Sequence, residues 1–263
     1  MGAADEARKR SADCAQVFIS NPRGWAPPLI TEDLASAFRQ AWQASGLGPL
    51  IAHAPYLVNV ASATPRFVEA SVTLAIQTLD ACEALGVNML VVHAGTGSTD
   101  PHDVVVARAA SSLRRIAEHG GPTRVLVELE EGIPAASAST IPDAERLFEE
   151  ADVEELELCL DTCHLFATGY ALDTEAGVAQ LFDELHETGL SDRLALIHAN
   201  DAMYERGSYR DRHENIGDGF IGLDGWRALL ARPEVRKLAL VLETPGDAAR
   251  HARDIALLRS LAS

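Results

Sequence analysis

Short apolar segments alternate with amphipathic segments along almost the whole chain. The short segments are mostly unbroken runs of Val, Ile and Leu, which is typical of parallel strands buried on both faces. The longer segments repeat their apolar residues at helical spacing. Alternation of this kind predicts a parallel sheet covered by helices. The predicted strands are 15–20, 50–53, 89–93, 124–128, 156–161, 194–199 and 237–243, and the predicted helices are 2–13, 31–45, 65–85, 102–119, 141–150, 174–188, 224–231 and 246–261.

The predicted elements are one strand short of a complete barrel. Eight helices accompany seven strands, and a closed (β/α)₈ barrel begins with a strand. We therefore predict an α/β fold, a TIM barrel that lacks its first strand, formed by residues 1–263 as a single domain. The gap should lie between strands 15–20 and 237–243. We also expect the natural protein to begin upstream of Met1 with a short strand that fills this gap.

Charge and cysteine content restrict the class of protein. The net charge of −17 argues against non-specific binding to nucleic acid, although bound divalent cations can reverse the potential of an acidic cleft. Four cysteines in 263 residues do not form a disulfide framework, so we expect a reducing, cytoplasmic setting. No apolar run approaches the roughly 20 residues of a membrane span, and the N-terminus has no secretory signal pattern.

Residues that can bind metal follow the predicted strands at their carboxyl ends. In a barrel these ends meet at one face, where active sites are built. One such residue alone is more often a helix cap or half of a salt bridge. Their presence at every predicted strand end from 50–53 onward instead indicates a site for two or three ions such as zinc, manganese or iron(II). The candidate ligands are His53, His93, Glu128, Asp161, His164, His198, Asp211, His213 and Glu243.

Five segments, in order and spacing, resemble the signature blocks of the endonuclease IV family. They are HAPYLVN, LDTCHLFATGY, HAND, DRHENIGDGFIG and LETP, and the resemblance runs from about residue 3 to the end of the chain. It implies a metal-dependent hydrolase that cuts DNA on the 5′ side of abasic sites, giving a 3′-hydroxyl and a 5′-deoxyribose phosphate. It also implies a monomer that binds double-stranded DNA and holds three Zn²⁺ ions, with Mn²⁺ as an alternative at one site.

The resemblance also implies how the ligands are shared. One zinc would be held by His53, His93 and Glu128, and a second by Glu128, Asp161, His198 and Glu243. Glu128 would thus bridge two ions and is our candidate catalytic residue. The third zinc would be held by His164, Asp211 and His213.

Three further residues match the DNA contacts of the family. Arg23, in the segment NPRGW, would enter the minor groove, and Tyr56 and Leu57 would fill the space left by an extruded nucleotide. From the residues alone, Tyr56 and Leu57 could equally be core, and Arg23 could be a solvated loop charge. The block after Glu128 reads LEEG where the family has a polar Asn next to the Glu, so we expect altered support of Glu128.

Two other functions are compatible with the same pattern. A sugar isomerase or epimerase on the same barrel needs one or two ions and has no use for His164, Asp211 and His213 as a third set. A non-catalytic barrel that binds metal or damaged DNA would be consistent with the predicted gap.

Overall fold

The computed structural model describes residues 2–263, and in this range seven parallel strands form one curved sheet in the order in which they follow one another along the chain. Each consecutive pair is joined by a helical connection that crosses the outside of the sheet. The strands are β1 (Ala15–Val17), β2 (Leu50–His53), β3 (Met89–His93), β4 (Arg124–Glu128), β5 (Leu156–Asp161), β6 (Leu194–His198) and, after a two-stranded antiparallel pair β7 (Asp201–Ala202) and β8 (His213–Glu214), β9 (Ala239–Val241). This architecture confirms the predicted barrel fold class.

The helices follow the predicted amphipathic segments closely. Several begin at side-chain caps, for example Thr31, Thr140 and Thr174, whose hydroxyl oxygens accept backbone N–H groups of the first turn. The helices are α1 (Ala3–Lys9), α2 (Glu32–Ser45), α3 (Pro65–Leu85), α4 (His102–Ala117), α5 (Ile141–Ala151), α6 (Thr162–Thr168), α7 (Glu175–Glu187), α8 (Gly222–Ala231) and α9 (Ala248–Leu261), with 3₁₀ turns at Leu190–Arg193 and Val235–Lys237.

Alternation along each strand divides the core into two layers. Residues such as Ala52, Val92 and Val127 pack between the sheet and the helices. Their neighbours face the barrel interior and form a smaller apolar cluster that includes Ile51 and Leu126. Because side chains on a strand alternate in direction, the residue two positions beyond each interior residue faces the same way. His53 and Glu128 are therefore aimed at the interior mouth by the register of their own strands.

Three predicted elements are shorter in the structure than the sequence pattern indicates. The predicted strands 15–20 and 237–243 shorten to Ala15–Val17 and Ala239–Val241, because each pairs with a neighbour along one edge only. The predicted helix 2–13 ends at Lys9. Two elements went unpredicted: the short helix α6, whose run TCHLFAT directly continues strand β5, and the pair β7–β8, whose two-residue strands are too short to show a period.

The sheet remains open between β1 and β9, as predicted. These strands are the two ends of the sheet within residues 2–263. Their apolar residues other than Val241 stay partly exposed, while all four residues of β2 are buried. A cavity of about 1110 Å³ lies along this opening, between the two strands and helices α1 and α9. Side chains bridge it at both ends: Arg259 binds Ser11 and Asp13, and Gln16 binds Glu243.

No helix in the described residues is both long enough and apolar enough to cross a membrane.

Candidate metal centre

Nine side chains from six strands, one helix and two loops converge at the carboxyl end of the barrel. They form three groups in which one possible ligand atom from each residue lies within 4.8 Å of the others. Glu128 belongs to two of these groups. The groups are His53, His93 and Glu128; Glu128, Asp161, His198 and Glu243; and His164, Asp211 and His213.

Glu128 occupies the middle of the arrangement. Its carboxylate is 1% exposed, and its two oxygens face different histidines. Oε2 lies 3.1 Å from His53 Nε2 and 3.6 Å from His93 Nε2, whereas Oε1 lies 2.9 Å from His198 Nδ1. One carboxylate thus joins the first and second groups, which is the geometry that a bridging ligand requires.

The third group is assembled by the pair β7–β8 and the loop between its strands. His213 Nε2 lies 3.0 Å from Asp211 Oδ1 and 3.4 Å from Asp161 Oδ2, while His164 Nε2 lies 3.6 Å from Asp211 Oδ1. Asp201, fully buried, accepts hydrogen bonds from the backbone N–H of Gly217 and from Trp226 Nε1. These bonds anchor the segment that directly follows His213 and β8.

Asp161 combines a structural and a site contact. Its Oδ1 accepts the backbone N–H groups of Cys163 and His164 at the start of α6. Its Oδ2 accepts Asn200 Nδ2 at 2.6 Å and faces His213. The capping interpretation of Asp161 and its placement among the metal-capable residues therefore hold at the same time, through different oxygens.

Each of the five histidines directs one ring nitrogen to an acceptor that is not one of the candidate ligand atoms. Such an acceptor favours the proton on that nitrogen, and the opposite nitrogen is left facing the carboxylates. His198 presents Nδ1, and the other four present Nε2. The outer contacts are His53 Nδ1 to Ala54 O at 2.7 Å, His164 Nδ1 to Leu129 O at 2.8 Å, His213 Nδ1 to Glu243 O at 3.2 Å, His93 Nδ1 to Glu130 Oε2 at 3.4 Å, and His198 Nε2 to Gln16 Oε1 at 2.9 Å.

In the metal-free protein the histidines and carboxylates of the site stabilise each other's charged forms. Burial opposes a proton on His93, but the carboxylates of Glu128 and Glu130 outweigh it and raise the pKa of His93 to about 9. Burial likewise opposes a charge on His213, and Asp161 and Asp211 raise its pKa to about 9. Burial favours the neutral form of Glu128, yet His198 and His93 hold its pKa well below the usual value. The metal-free site is a network of paired charges.

The donor set suits divalent metal ions. Imidazole nitrogens and carboxylates without thiolate fit zinc and similar borderline ions. Cys159 and Cys163 lie close enough to join two groups, but burial raises the pKa of both thiols, that of Cys159 to about 12. In the metal-free protein both thiols are therefore protonated, and the nitrogen and oxygen donors are the ones that make up the three groups.

The candidate DNA contacts lie beside the metal centre. Tyr56 is 58% exposed, so the core alternative is wrong for its side chain. Its ring stands 5.9 Å from that of His53, and its backbone N–H binds Pro22 O in the loop that carries Arg23. Leu57 is partly buried, and Arg23 is exposed. The structure thus brings the three residues to one rim of the mouth.

Four residues of the site escaped sequence reasoning: Gln16, Glu130, Asn200 and Asp201. Asn200 shows why, since its amide binds Asp161 through Nδ2 and the backbone N–H of Glu243 through Oδ1. These residues are polar side chains within or next to apolar strands, a signal that was present in the sequence. Their partners lie far away along the chain, so only the fold identifies them.

Sequence and structure comparisons place the chain among known proteins. A xylose isomerase-like TIM barrel family model matches residues 4–261. A probable endonuclease 4 of Streptomyces coelicolor is 40% identical, with 97% of this chain and 88% of the relative covered, and one of Methanoculleus marisnigri is 38% identical, with 99% and 95% covered.

The solved structures agree with this relationship. Endonuclease IV from Thermus thermophilus superposes with a TM-score of 0.86 at 30% identity, covering 98% of this chain and 92% of that one. A D-tagatose 3-epimerase-like protein has a TM-score of 0.74 at 16% identity, which shows a common fold alone. Because the family model matches nearly the whole chain and the endonuclease 4 relatives align over almost their full length, the chain belongs to the endonuclease IV family of xylose isomerase-like TIM barrels.

Proposed function

We propose that this protein hydrolyses the phosphodiester bond on the 5′ side of abasic sites in double-stranded DNA, using three zinc ions held by its three residue groups. At the coarser level, membership of the family makes the protein a hydrolase of the nuclease class. The observation that supports the finer proposal is the pair of groups that share Glu128, with a third group beside them.

The nine residues divide into those that hold one ion and one that holds two. His53, His93 and Glu128 would hold the first ion, and Glu128 with Asp161, His198 and Glu243 the second. His164, Asp211 and His213 would hold the third. Zinc bound in such sites activates water near neutral pH and neutralises negative charge on a phosphate.

The protein itself positions the candidate ligands and the substrate relative to one another. Glu128 is held by histidines on both of its oxygens, so it keeps the first two groups at a fixed separation. The third group opens toward the mouth at Asp211, whose side chain is 44% exposed. A scissile phosphate that enters the mouth would meet all three groups. Tyr56, Leu57 and Arg23 would select a nucleotide that lacks its base, because such a nucleotide costs least to extrude.

The proposal predicts two to three divalent ions per chain, mostly zinc. Elemental analysis of the purified protein measures this number, and cleavage of a labelled duplex with one abasic site measures activity. Prolonged chelation should remove both, whereas brief exposure to EDTA should not. An active protein with one ion or none would contradict the three-ion site.

Substitution of Glu128 tests the shared carboxylate within the same experiment. Glu128→Ala should lower the metal count by up to two ions and reduce cleavage by at least about 100-fold, in line with the loss of a metal ligand. Glu131→Gln is the matched control, because it changes a neighbouring carboxylate outside the three groups. Parental cleavage by Glu128→Ala would exclude the proposal, and ketose–aldose interconversion without cleavage would favour a sugar isomerase.

A further inference from the structure

Gln16 is a polar residue in the middle of β1, the strand at one end of the sheet. Its side chain extends across the opening of the barrel and contacts residues of two other strands. Gln16 Oε1 accepts a hydrogen bond from His198 Nε2 at 2.9 Å. Gln16 Nε2 donates to Glu243 Oε1 at 2.6 Å. A residue that belongs to none of the three metal-capable groups thus contacts two members of one group.

The chemistry of these contacts requires an amide. The ring of His198 offers an N–H to the outside only when the proton is on Nε2, and this needs an acceptor. The side-chain oxygen of Glu243 that faces Gln16 accepts a hydrogen bond and needs a donor. An amide supplies an acceptor and a donor from one side chain, and the two contacts together determine which way round it lies.

The two contacts determine which side-chain atoms of His198 and Glu243 face the metal-capable group. With its Nε2 occupied, His198 presents Nδ1, which lies 2.9 Å from Glu128 Oε1. With its Oε1 occupied, Glu243 presents Oε2, which lies 3.4 Å from His198 Nδ1. Among the five histidines, His198 has the opposite ring orientation to the other four, and Gln16 is the outer partner that matches this orientation.

At the opening, a side chain connects β1 to the end of β9 because the two strands do not pair through their backbones. β6 and β9 pair through their backbones, whereas β1 and β9 leave the cavity of about 1110 Å³ between them. Glu243 lies two residues after the end of β9, at an end of the sheet that no further strand of the described residues supports. A hydrogen bond from β1 across the opening restrains it.

We propose that Gln16 is a positioning residue for the metal centre: it fixes the ring orientation of His198 and the rotamer of Glu243 across the open edge of the barrel. This inference rests on the proposed function, because it assigns metal ligation to the group of Glu128, Asp161, His198 and Glu243. Gln16 itself contacts neither metal nor substrate in this assignment.

Zinc affinity measured by competition with a chromophoric chelator tests the proposal. Gln16→Met keeps the length of the side chain and removes both hydrogen bonds, so we expect the weakest-bound zinc to lose about 10- to 100-fold in affinity. Gln16→Glu keeps the acceptor for His198 but places a carboxylate against that of Glu243, so its zinc affinity should also fall below that of the parent. Gln40→Met, an exposed glutamine on α2, is the matched control and should keep parental affinity.

A purely structural role is separated from a positioning role by two further readouts. The visible spectrum of the cobalt-substituted protein reports ligand geometry and should change in Gln16→Met but not in Gln40→Met. In a His198→Ala background, Gln16→Met should cost little additional zinc affinity, because contacting residues that act through one another are not additive. Full additivity together with an unchanged cobalt spectrum would overturn the proposal.

The same measurements separate this inference from the proposed function. Parental zinc affinity in both Gln16 variants, with abasic cleavage intact in the parent, overturns the inference alone. Zinc uptake by the parent without cleavage overturns the proposed function alone, and the affinities of the variants still decide the role of Gln16. A parent that binds no zinc overturns both.

Discussion

At the residue scale, Tyr56 is an exposed aromatic side chain that packs beside the buried metal-capable residues. Its ring packs edge-on against Phe18 at 5.1 Å and near His53, while more than half of the side chain remains exposed. Burial of the hydroxyl, with Glu243 and Glu128 nearby, raises its pKa, so the phenol stays neutral. In the proposed function, this neutral ring would take the place of an extruded nucleotide in the base stack without repelling phosphates.

Substitutions on this rim should separate DNA binding from metal binding. Tyr56→Ala and Arg23→Ala should each weaken binding to an abasic duplex by about 10- to 100-fold, equivalent to about 1–3 kcal/mol, because stacking and minor-groove contacts are lost. The metal content should not change, since neither residue belongs to the three groups. Fluorescence anisotropy with a labelled abasic duplex measures the affinity.

Leu34→Ala, an exposed residue on α2, serves as the control for this prediction. If Tyr56→Ala or Arg23→Ala loses metal, the residue has a structural role in the metal centre and the proposed DNA contact is wrong.

At the scale of elements, the strands differ in how well their backbones are paired. β4 and β5 pair along both edges, with β3 and β6 as their outer neighbours. β1 and β9 pair along one edge only. In a parallel strand, alternate N–H groups point to opposite edges, so half of those in β1 and β9 face the opening.

Hydrogen exchange should reveal this difference. We expect the amides of β1 and β9 that face the opening to exchange at least about tenfold faster than those of β4 and β5, because they are free of the sheet's hydrogen bonds. Exchange followed by NMR at the level of single residues measures this. Equal protection in all four strands would show that the barrel is closed in solution.

At the scale of the whole molecule, an acidic chain concentrates its histidines in one place. Five of the nine histidines lie in the three groups, whereas His119 and His186 make surface pairs with Asp80 and Glu234. The net charge of −17 would oppose a DNA substrate everywhere except where cations cover the carboxylates. Bound divalent cations would reduce this repulsion at the mouth, where the carboxylates of the three groups lie.

Removal of metal should change how stability depends on pH. The pKa values of His93 and His213 are raised to about 9, so their stabilising contribution is complete below about pH 6.5 and is lost as the pH rises through 9. The pKa of Glu128 is lowered, so its contribution is present above about pH 4.5 and is lost on acidification. The metal-free protein should thus melt at lower temperature at pH 9 than at pH 6, with a loss of a few kcal/mol.

Zinc should reverse this trend, because it binds neutral imidazole and its affinity rises with pH. The difference in melting temperature between zinc-loaded and metal-free protein should therefore grow from pH 6 to pH 9. Calorimetry at several pH values measures both curves, with His102→Asn as a control that changes a histidine outside the three groups. A metal-free melting temperature that is constant or rises from pH 6.5 to pH 9 would contradict the prediction.

The sequence by itself determined the barrel, the open edge and the nine metal-capable residues. Unbroken apolar runs show strands buried on both faces, and a residue such as His53 or Glu243 directly after one must lie at the mouth. This inference needs only the local pattern and the common direction of parallel strands.

The family resemblance implied how these residues are divided into groups, but the local pattern does not encode this division. Only the tertiary structure shows which atoms face one another and what supports them. The role of Glu128 as the shared carboxylate depends on which oxygen faces His53 and which faces His198, and these residues are far apart along the chain. Gln16 is one polar residue in a short apolar strand, and its partners follow about 180 and more than 220 residues later. Such contacts arise from the closing of the sheet, and no local period encodes them.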